Sequence, residues 1–413
     1  MNRKKLYGLR IAAGCFFVMF ACQAALQAFS VFMPSILDSI QATTAQVSLM
    51  TTVACVVGFT FNMLVKKIIS RIGCRNTLII GCICCAGHFI IYGTSNSLAQ
   101  LYLGSAFAGV AIGLATYAPL SIVISSWFIR GYGTVWSIVV SGSMIAGVIM
   151  YPIAGTLIER VGWRSAYLIL SVGVAVISLS AALFLIIDTP GQIGLAPIGQ
   201  GEVPGEDTLS HPAPVKGPPP RRDKRFYVLL LGLFLVGVST NCENFLPAYW
   251  QSIGLSVSRA SICMSLYAGL CAVASIVLGR ITDRINSRVF QTITSISFFT
   301  GTLLFALLQP TALPLILLSS LFFAFGGKKV SGMIPPIVMH HTFGREAYPQ
   351  IAGFSAGVVQ LGIAVSSPTI GYLKDVSGTY TLPFVIMAGV GLLAFLLLQA
   401  GMGAFPAVPT QQQ

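Results

Sequence analysis

Charge is what this sequence has least of. Of 413 residues only 11 are acidic and 4 are histidine, and charged residues make up 8% of the chain, against about 25% in an ordinary soluble domain. Successive windows of about 20 residues carry almost no charge, which excludes a soluble globular protein and reads as a polytopic membrane protein. No Walker loop, no G-x-S-x-G elbow and no His/Asp/Cys constellation is present, so the sequence supports neither ATP-driven nor hydrolytic chemistry and no catalytic residue is expected. A resident cofactor or metal is not expected either. Cys82 and Cys85 have C-x-x-C spacing, but they fall in mid-span with no other thiol or imidazole motif around them, and His340 and His341 have no carboxylate or thiolate beside them in sequence.

What is present is apolar: 55% of the residues are hydrophobic. Ten cysteines might suggest a disulfide framework, yet all except Cys74 lie inside apolar runs and read as small packing residues. The net charge of +13 is not a nucleic-acid signal, because 22 of the 24 Lys and Arg sit in connections on alternate sides of the apolar runs. These runs make twelve spans: 11–36, 47–65, 77–93, 98–128, 135–158 and 166–187, then 226–249, 260–278, 290–308, 314–339, 351–372 and 382–404. The first is too long for the apolar region of a signal peptide, usually about 7 to 15 residues. Between the two sets of six, residues 188–225 are rich in Gly and Pro and end in a basic cluster, the composition of a linker. The domain reading is therefore 1–187 and 226–413 as two six-helix halves joined by 188–225.

With the amino terminus in the cytoplasm, only Arg160, Arg164, Arg259 and Lys374 among the 24 basic residues fall outside, and Lys328 and Lys329 fall within the membrane. That asymmetry satisfies the positive-inside rule with both termini cytoplasmic. The compact loops suit a bacterial inner membrane. The halves also repeat. A shift of 216 residues sets Gly155, Leu157, Glu159 and Gly162 over Gly371, Leu373, Asp375 and Gly378, and Phe107, Ala108 and Pro119 over Phe323, Ala324 and Pro335; a shift of 213 sets Arg71 and Arg75 over Arg284 and Arg288. Duplicated halves imply a pseudo-two-fold axis along the membrane normal, with a substrate site at midplane between them.

The strongest functional signal is Lys328-Lys329, near the middle of span 10. A lysine at that depth costs about 3 kcal/mol, so the pair reads as positive charge kept to meet an anion; the plain alternative is snorkelling to an interface. Consecutive helical residues point about 100° apart, so one lysine would meet substrate and the other would pair, unless Gly326-Gly327 loosens the helix. Glu243 is the one acidic residue deep in a span. It would pair with a lysine or, with its pKa raised by desolvation, couple protons. Gln23 and Gln27 share a helix face and could donate to a carboxylate, or serve as interhelical glue. Tyr117 is a candidate hydroxyl donor. Tyr249 and Trp250 read as interfacial belt residues, and His88 as a packed neutral imidazole.

Gly279-Arg-Ile-Thr-Asp283-Arg284-Ile-Asn-Ser-Arg288 resembles the loop signature G-x-x-x-D-R-x-x-x-R of the major facilitator superfamily. Trp127-Phe128, Gly162-Trp163-Arg164, Asp188-Thr189-Pro190 with Gly194-Leu195, and the run from Gly371 through Asp375, Gly378 and Tyr380 to Pro383-Phe384 extend the match over most of the chain. They are similar to the branch of monocarboxylate transporters and oxalate/formate antiporters. The resemblance implies an all-α fold of twelve transmembrane helices and assigns Gly279, Asp283, Arg284 and Arg288 to gating contacts. The first-half loop departs from the pattern, with Lys66 where Gly is usual and Ser70 where Asp is usual. That branch tends to carry a substrate-binding cation on span 8 or span 11. Here span 8 has none and span 11 offers only Gln360, so the charge for a carboxylate must come from Lys328 or Lys329. The expected function is secondary active transport of a small organic anion, a mono- or dicarboxylate, by antiport or proton symport, with Gln23, Gln27, Tyr117 and Gln360 orienting it. The alternatives are a proton-coupled exporter of hydrophobic or cationic compounds that uses Glu243, and a nontransporting sensor. The expected partners are the anion and membrane lipid, with no nucleic acid, and a monomer is expected.

Overall fold

A computed structural model describes residues 3–129, 132–199, 223–282, 287–308, 312–327 and 334–402. Nine helices among the described residues are long and apolar enough to cross a membrane. The longest, Thr134–Leu185, has 52 residues, about 78 Å at 1.5 Å per residue, which is two crossings of a core about 30 Å thick. It holds spans 5 and 6, separated at Gly162, whose φ of +79° only glycine adopts cheaply. Ile334–Ser377 carries the end of span 10 together with span 11, and the shorter Leu313–Gly326 carries the start of span 10. The chain is an all-α polytopic membrane protein, and the sole β feature among the described residues is one parallel bridge between Phe128 and Ile198.

Two spans expected to be continuous are interrupted. Span 4 is Leu98–Ala115 followed by Tyr117–Trp127, with Thr116 at φ −118°, ψ −135° between them. Span 7 is Lys224–Thr240, a 3₁₀ turn Asn241–Phe245, then Leu246–Ser252. Each break ends just before a proline: Pro119 cannot donate to the carbonyl of Ala115, nor Pro247 to that of Glu243. Thr116 Oγ1 instead donates to the carbonyl of Ile112 at 2.6 Å, a local bond that competes with the helix. Pro34 and Pro152, by contrast, lie inside unbroken helix. Tyr249 and Trp250 are a further correction. They are buried rather than set in an interfacial belt, on a segment that packs against span 1.

By contact the chain divides into two units. The first holds Met1–Leu209, Asn244–Ala272 and Ser367–Val376; the second holds Ser210–Glu243, Val273–Ser366 and Ser377–Gln413.

In the first unit span 1 lies along spans 5 and 6, and Phe32 stacks on Tyr167 with ring centroids 3.7 Å apart. Gly109 and Gly113 of span 4, four residues apart, let that helix close on Val57 and Phe61 of span 2; a Cβ on Gly109 would lie 2.7 Å from the Ala54 carbonyl. Nine of the ten cysteines are buried and Cys84 is half-buried, and none is in a disulfide. His88 is buried against Phe89 and Tyr92, as a packed imidazole would be.

The start of each helix leaves N–H groups without intrahelical partners, and in this unit carboxylates from elsewhere in the chain fill the need. Span 3 has no side-chain cap of its own. Asp188, from the residues after span 6, accepts from the amides of Cys74 and Arg75. The same connection is held by the Trp127 indole, which donates to the Ile187 carbonyl at 2.9 Å, and by Ser126 Oγ, which donates to the Asp188 carbonyl at 2.8 Å. Span 2 opens with a reciprocal capping box between Thr43 and Gln46, and Asp375 accepts from the amides of Thr44 at 3.0 Å and Ala45 at 2.9 Å. Span 8 opens in the same way: Ser256 Oγ accepts from the Arg259 amide at 3.3 Å, and Glu159 accepts from that of Ser258 at 2.6 Å.

In the second unit spans 7 and 12, 9 and 10, and 9 and 12 pack pairwise. Gly326, where the first part of span 10 ends, lies against the Thr294 carbonyl and Phe298 of span 9. Arg288 at the start of span 9 donates to the carbonyl of Met402 at the end of span 12, 2.8 Å away.

Candidate functional site

One group of polar side chains in the first unit converges from spans 1, 4 and 5. Gln27 on span 1 donates through Nε2 to the Ser143 carbonyl on span 5 at 2.9 Å, and its Oε1 accepts from the Tyr151 hydroxyl at 3.4 Å. The Tyr117 hydroxyl, on the residue where span 4 restarts, lies against the Ser143 side chain. Gly147, midway between Ser143 and Tyr151, makes the approach possible: a Cβ there would stand 2.7 Å from Gln27 Oε1 and 3.4 Å from Ala268 on span 8.

This arrangement has the character of a binding platform. Gln27 uses one amide hydrogen on Ser143 and keeps the other, and Tyr117 is 46% exposed, so amide and phenol donors remain for a guest molecule. Unwound segments in membrane helices are tolerated where they are buried in protein or line a cavity.

Of the expected site residues, Gln27 and Tyr117 are thus brought together. Gln23 is half-buried one turn before Gln27 on the same face and makes no hydrogen bond among the described residues. Glu243 is 4% exposed and sits in the 3₁₀ turn of span 7, a tighter helical turn between two α-helical stretches. Gln360 is half-buried on span 11, within the second unit. Lys328 and Lys329 lie outside the described residues, as do Asp283 and Arg284 of the loop signature; Gly279 ends in helix, and Arg288 makes the span 12 contact given above. Ser143, Gly147 and Tyr151 were not anticipated. Their spacing of four along span 5 is the signal that marks one helix face.

In the second unit a small cavity of about 20 Å³ is lined by Ser239, Thr240, Thr294 and Ser295 together with Val236, Phe298, Ile334 and Phe395. It has room for one water and not for a carboxylic acid.

Comparison with known proteins places these features in context. The family model described as Major Facilitator Superfamily matches residues 15–342. Monocarboxylate transporter 12 of Rattus norvegicus is 23% identical over 420 residues, covering 95% of this chain and 85% of the relative. Monocarboxylate transporter 13 of Bos taurus is 24% identical over 401 residues, covering 94% and 87%. Among solved structures, the nucleoside transporter NupG superposes with a TM-score of 0.75 at 12% identity, over 98% of this chain and 100% of that one. An inward-facing, unoccupied bacterial homolog of the human lysosomal transporter Spinster superposes with 0.74 at 14% identity, over 96% and 97%.

Proposed function

Because the chain belongs to the Major Facilitator Superfamily, we propose that it moves a small organic anion, a mono- or dicarboxylate, across the membrane by alternating access. Membership makes it a multi-pass membrane transporter of small organic solutes. The observation that carries the anion reading is the platform of Gln27, Ser143, Tyr151 and Tyr117. The donors left over, the second amide hydrogen of Gln27 on span 1 and the phenol of Tyr117 on span 4, suit a carboxylate, which only accepts hydrogen bonds. The relatives named as monocarboxylate transporters span nearly the whole chain and support the same substrate class.

In this reading the neutral donors orient the acid and a cation supplies its affinity. Lys328 or Lys329 provides the charge from span 10, with Gln360 and Gln23 completing the pocket. A lysine costing about 3 kcal/mol in hydrocarbon recovers that cost when an anion meets it, and differential affinity for the two access states is what lets a substrate drive their exchange. Residues 1–187 and 226–413 rock as two six-helix halves, with Gly279, Asp283, Arg284 and Arg288 in the gate. Exchange of one anion for another and symport with a proton are both compatible with a lysine site. The compact loops favour a bacterial inner membrane with both termini cytoplasmic, and the transporter works as a monomer.

The test is uptake of labelled oxalate, formate, acetate, lactate, pyruvate and succinate into proteoliposomes, with and without internal acid and with an imposed pH gradient. Saturable uptake of one or more acids supports the reading; stimulation by internal acid identifies exchange, and stimulation by the pH gradient identifies symport. No uptake of any acid overturns it. A second reading, proton-coupled export of hydrophobic or cationic compounds, is favoured by one observation: Glu243 is a buried acidic residue within span 7, and acidic groups inside the spans of transporters act in proton relays. Export that survives Glu243→Gln would overturn it.

A further inference from the structure

The 216-residue repeat G-x-L-x-E/D-x-x-G carries the same two contacts twice inside the first unit. At its first position Gly155 on span 5 lies directly on Ser261 of span 8, and Gly371 on span 11 lies on span 2, where a Cβ would be 2.7 Å from Ala45 Cα and 2.8 Å from Ser48 Oγ. At its fifth position Glu159 accepts from the first turn of span 8 and Asp375 from the first turn of span 2. At its eighth position Gly162 and Gly378 turn the chain with φ of +79° and +71°. Each copy therefore binds a helix from one sequence half to the start of a helix from the other, close-packed by glycine and finished by a carboxylate.

We propose that Glu159 and Asp375 are paired latch residues of the gate on the side to which the charge distribution assigns these loops, the outer side. The inference rests on the alternating-access reading above. A carboxylate at a helix start satisfies unpaired amides and meets the positive end of the helix dipole. Both interactions exist only while spans 5 and 8, and spans 2 and 11, stay in contact. Both carboxylates are solvent-exposed, so water can replace either bond when the helices part and the latch can reopen. A buried ion pair would hold the gate more rigidly. Serine and alanine opposite the glycines leave no polar group stranded on opening, so the two carboxylates set the balance between closed and open.

The reporter is Ser261→Cys, a near-isosteric change at a residue with no exposure, sealed between spans 5 and 8. Because the native cysteines are buried or half-buried, labelling by a water-soluble maleimide in detergent reads opening at this point, with the parent lacking the reporter as background. Glu159→Gln should speed labelling about two- to five-fold and Asp375→Asn by a similar factor, the size of a helix-terminus charge effect, and the two together about ten-fold. Asp38→Asn, an exposed acidic change at the same end of span 1, should leave the rate unchanged. Labelling of the double variant at the parent rate would overturn the proposal. So would aggregation of both single variants on gel filtration, since a latch that only biases an equilibrium is not required for folding. The readout needs no substrate, so failure of the acid-uptake test leaves it standing and the two readings fail separately.

Discussion

Arg288 donates a 2.8 Å hydrogen bond to the carbonyl of Met402, joining the start of span 9 to the last turn of span 12. Arg75, its counterpart under the 213-residue shift, donates to the carbonyl of Leu183 near the end of span 6. In both halves the second arginine of the loop therefore meets a carbonyl that has lost its helical partner, at the negative end of a helix dipole. Arg288→Ala should destabilise the protein by about 1 kcal/mol, since the guanidinium is part-exposed. A fall of roughly 1–2 °C in the thermal unfolding midpoint is expected, with Arg288→Lys recovering part of it.

Gln27 is the hub of the proposed site, so Gln27→Leu should cut kcat/KM for acid uptake at least tenfold while leaving expression and gel-filtration behaviour intact. Tyr117→Phe should cost about five- to tenfold, the worth of one hydrogen bond to a charged group. Proteoliposome kinetics at equal reconstituted protein check both. Unchanged kinetics in the two variants would move the substrate elsewhere.

Lys328→Gln and Lys329→Gln should separate. One lysine is proposed to meet the substrate and the other to pair, so one neutralisation should abolish uptake and the other should leave at least a third of it. Full uptake by both variants would remove the cation from the mechanism.

Gly162→Ala and Gly378→Ala test strain without packing. Both glycines have positive φ, and an added Cβ would meet nothing within 4 Å. Each change should cost about 1–3 kcal/mol, the strain of a Cβ at a positive φ that glycine enters freely. Nearly equal drops in denaturation midpoint are expected, and a much larger drop in one would mean that its loop carries a contact.

Gln291 on span 9 is 1% exposed, and neither atom of its amide has a hydrogen-bond partner among the described residues. A buried polar group without a partner costs about 1–3 kcal/mol, so Gln291→Met, similar in length and apolar, should stabilise the protein by about 1 kcal/mol or more. A lower unfolding midpoint would show that the amide is used.

The spans, their turns and the internal repeat were legible in the sequence because a membrane makes apolar length the main constraint. The repeat pattern marked both Glu159 and Asp375 before any contact was known. The breaks in spans 4 and 7 were less legible. Pro119 and Pro247 sit at them, but Pro34 and Pro152 have the same local chemistry in continuous helix, and neighbouring helices decide which proline interrupts. Gln27 and Tyr117 of the polar cluster stood out in the sequence as polar groups within spans. Ser143 and Tyr151 were missed because a hydroxyl within a span reads equally well as glue, and only the approach of Gln27 beside Gly147 gives these two a shared role.

Asp375 and the amides it caps are 330 and 331 residues apart in the chain. At about 5–20 residues per second, a ribosome reaches Asp375 roughly 20 to 60 seconds after making span 2. Through that interval the amides of Thr44 and Ala45 depend on water or a temporary partner at the membrane surface. The mature amino-terminal half is therefore not a finished module handed on by the insertion machinery, and one of its earliest helices is completed by one of the last turns to be synthesised.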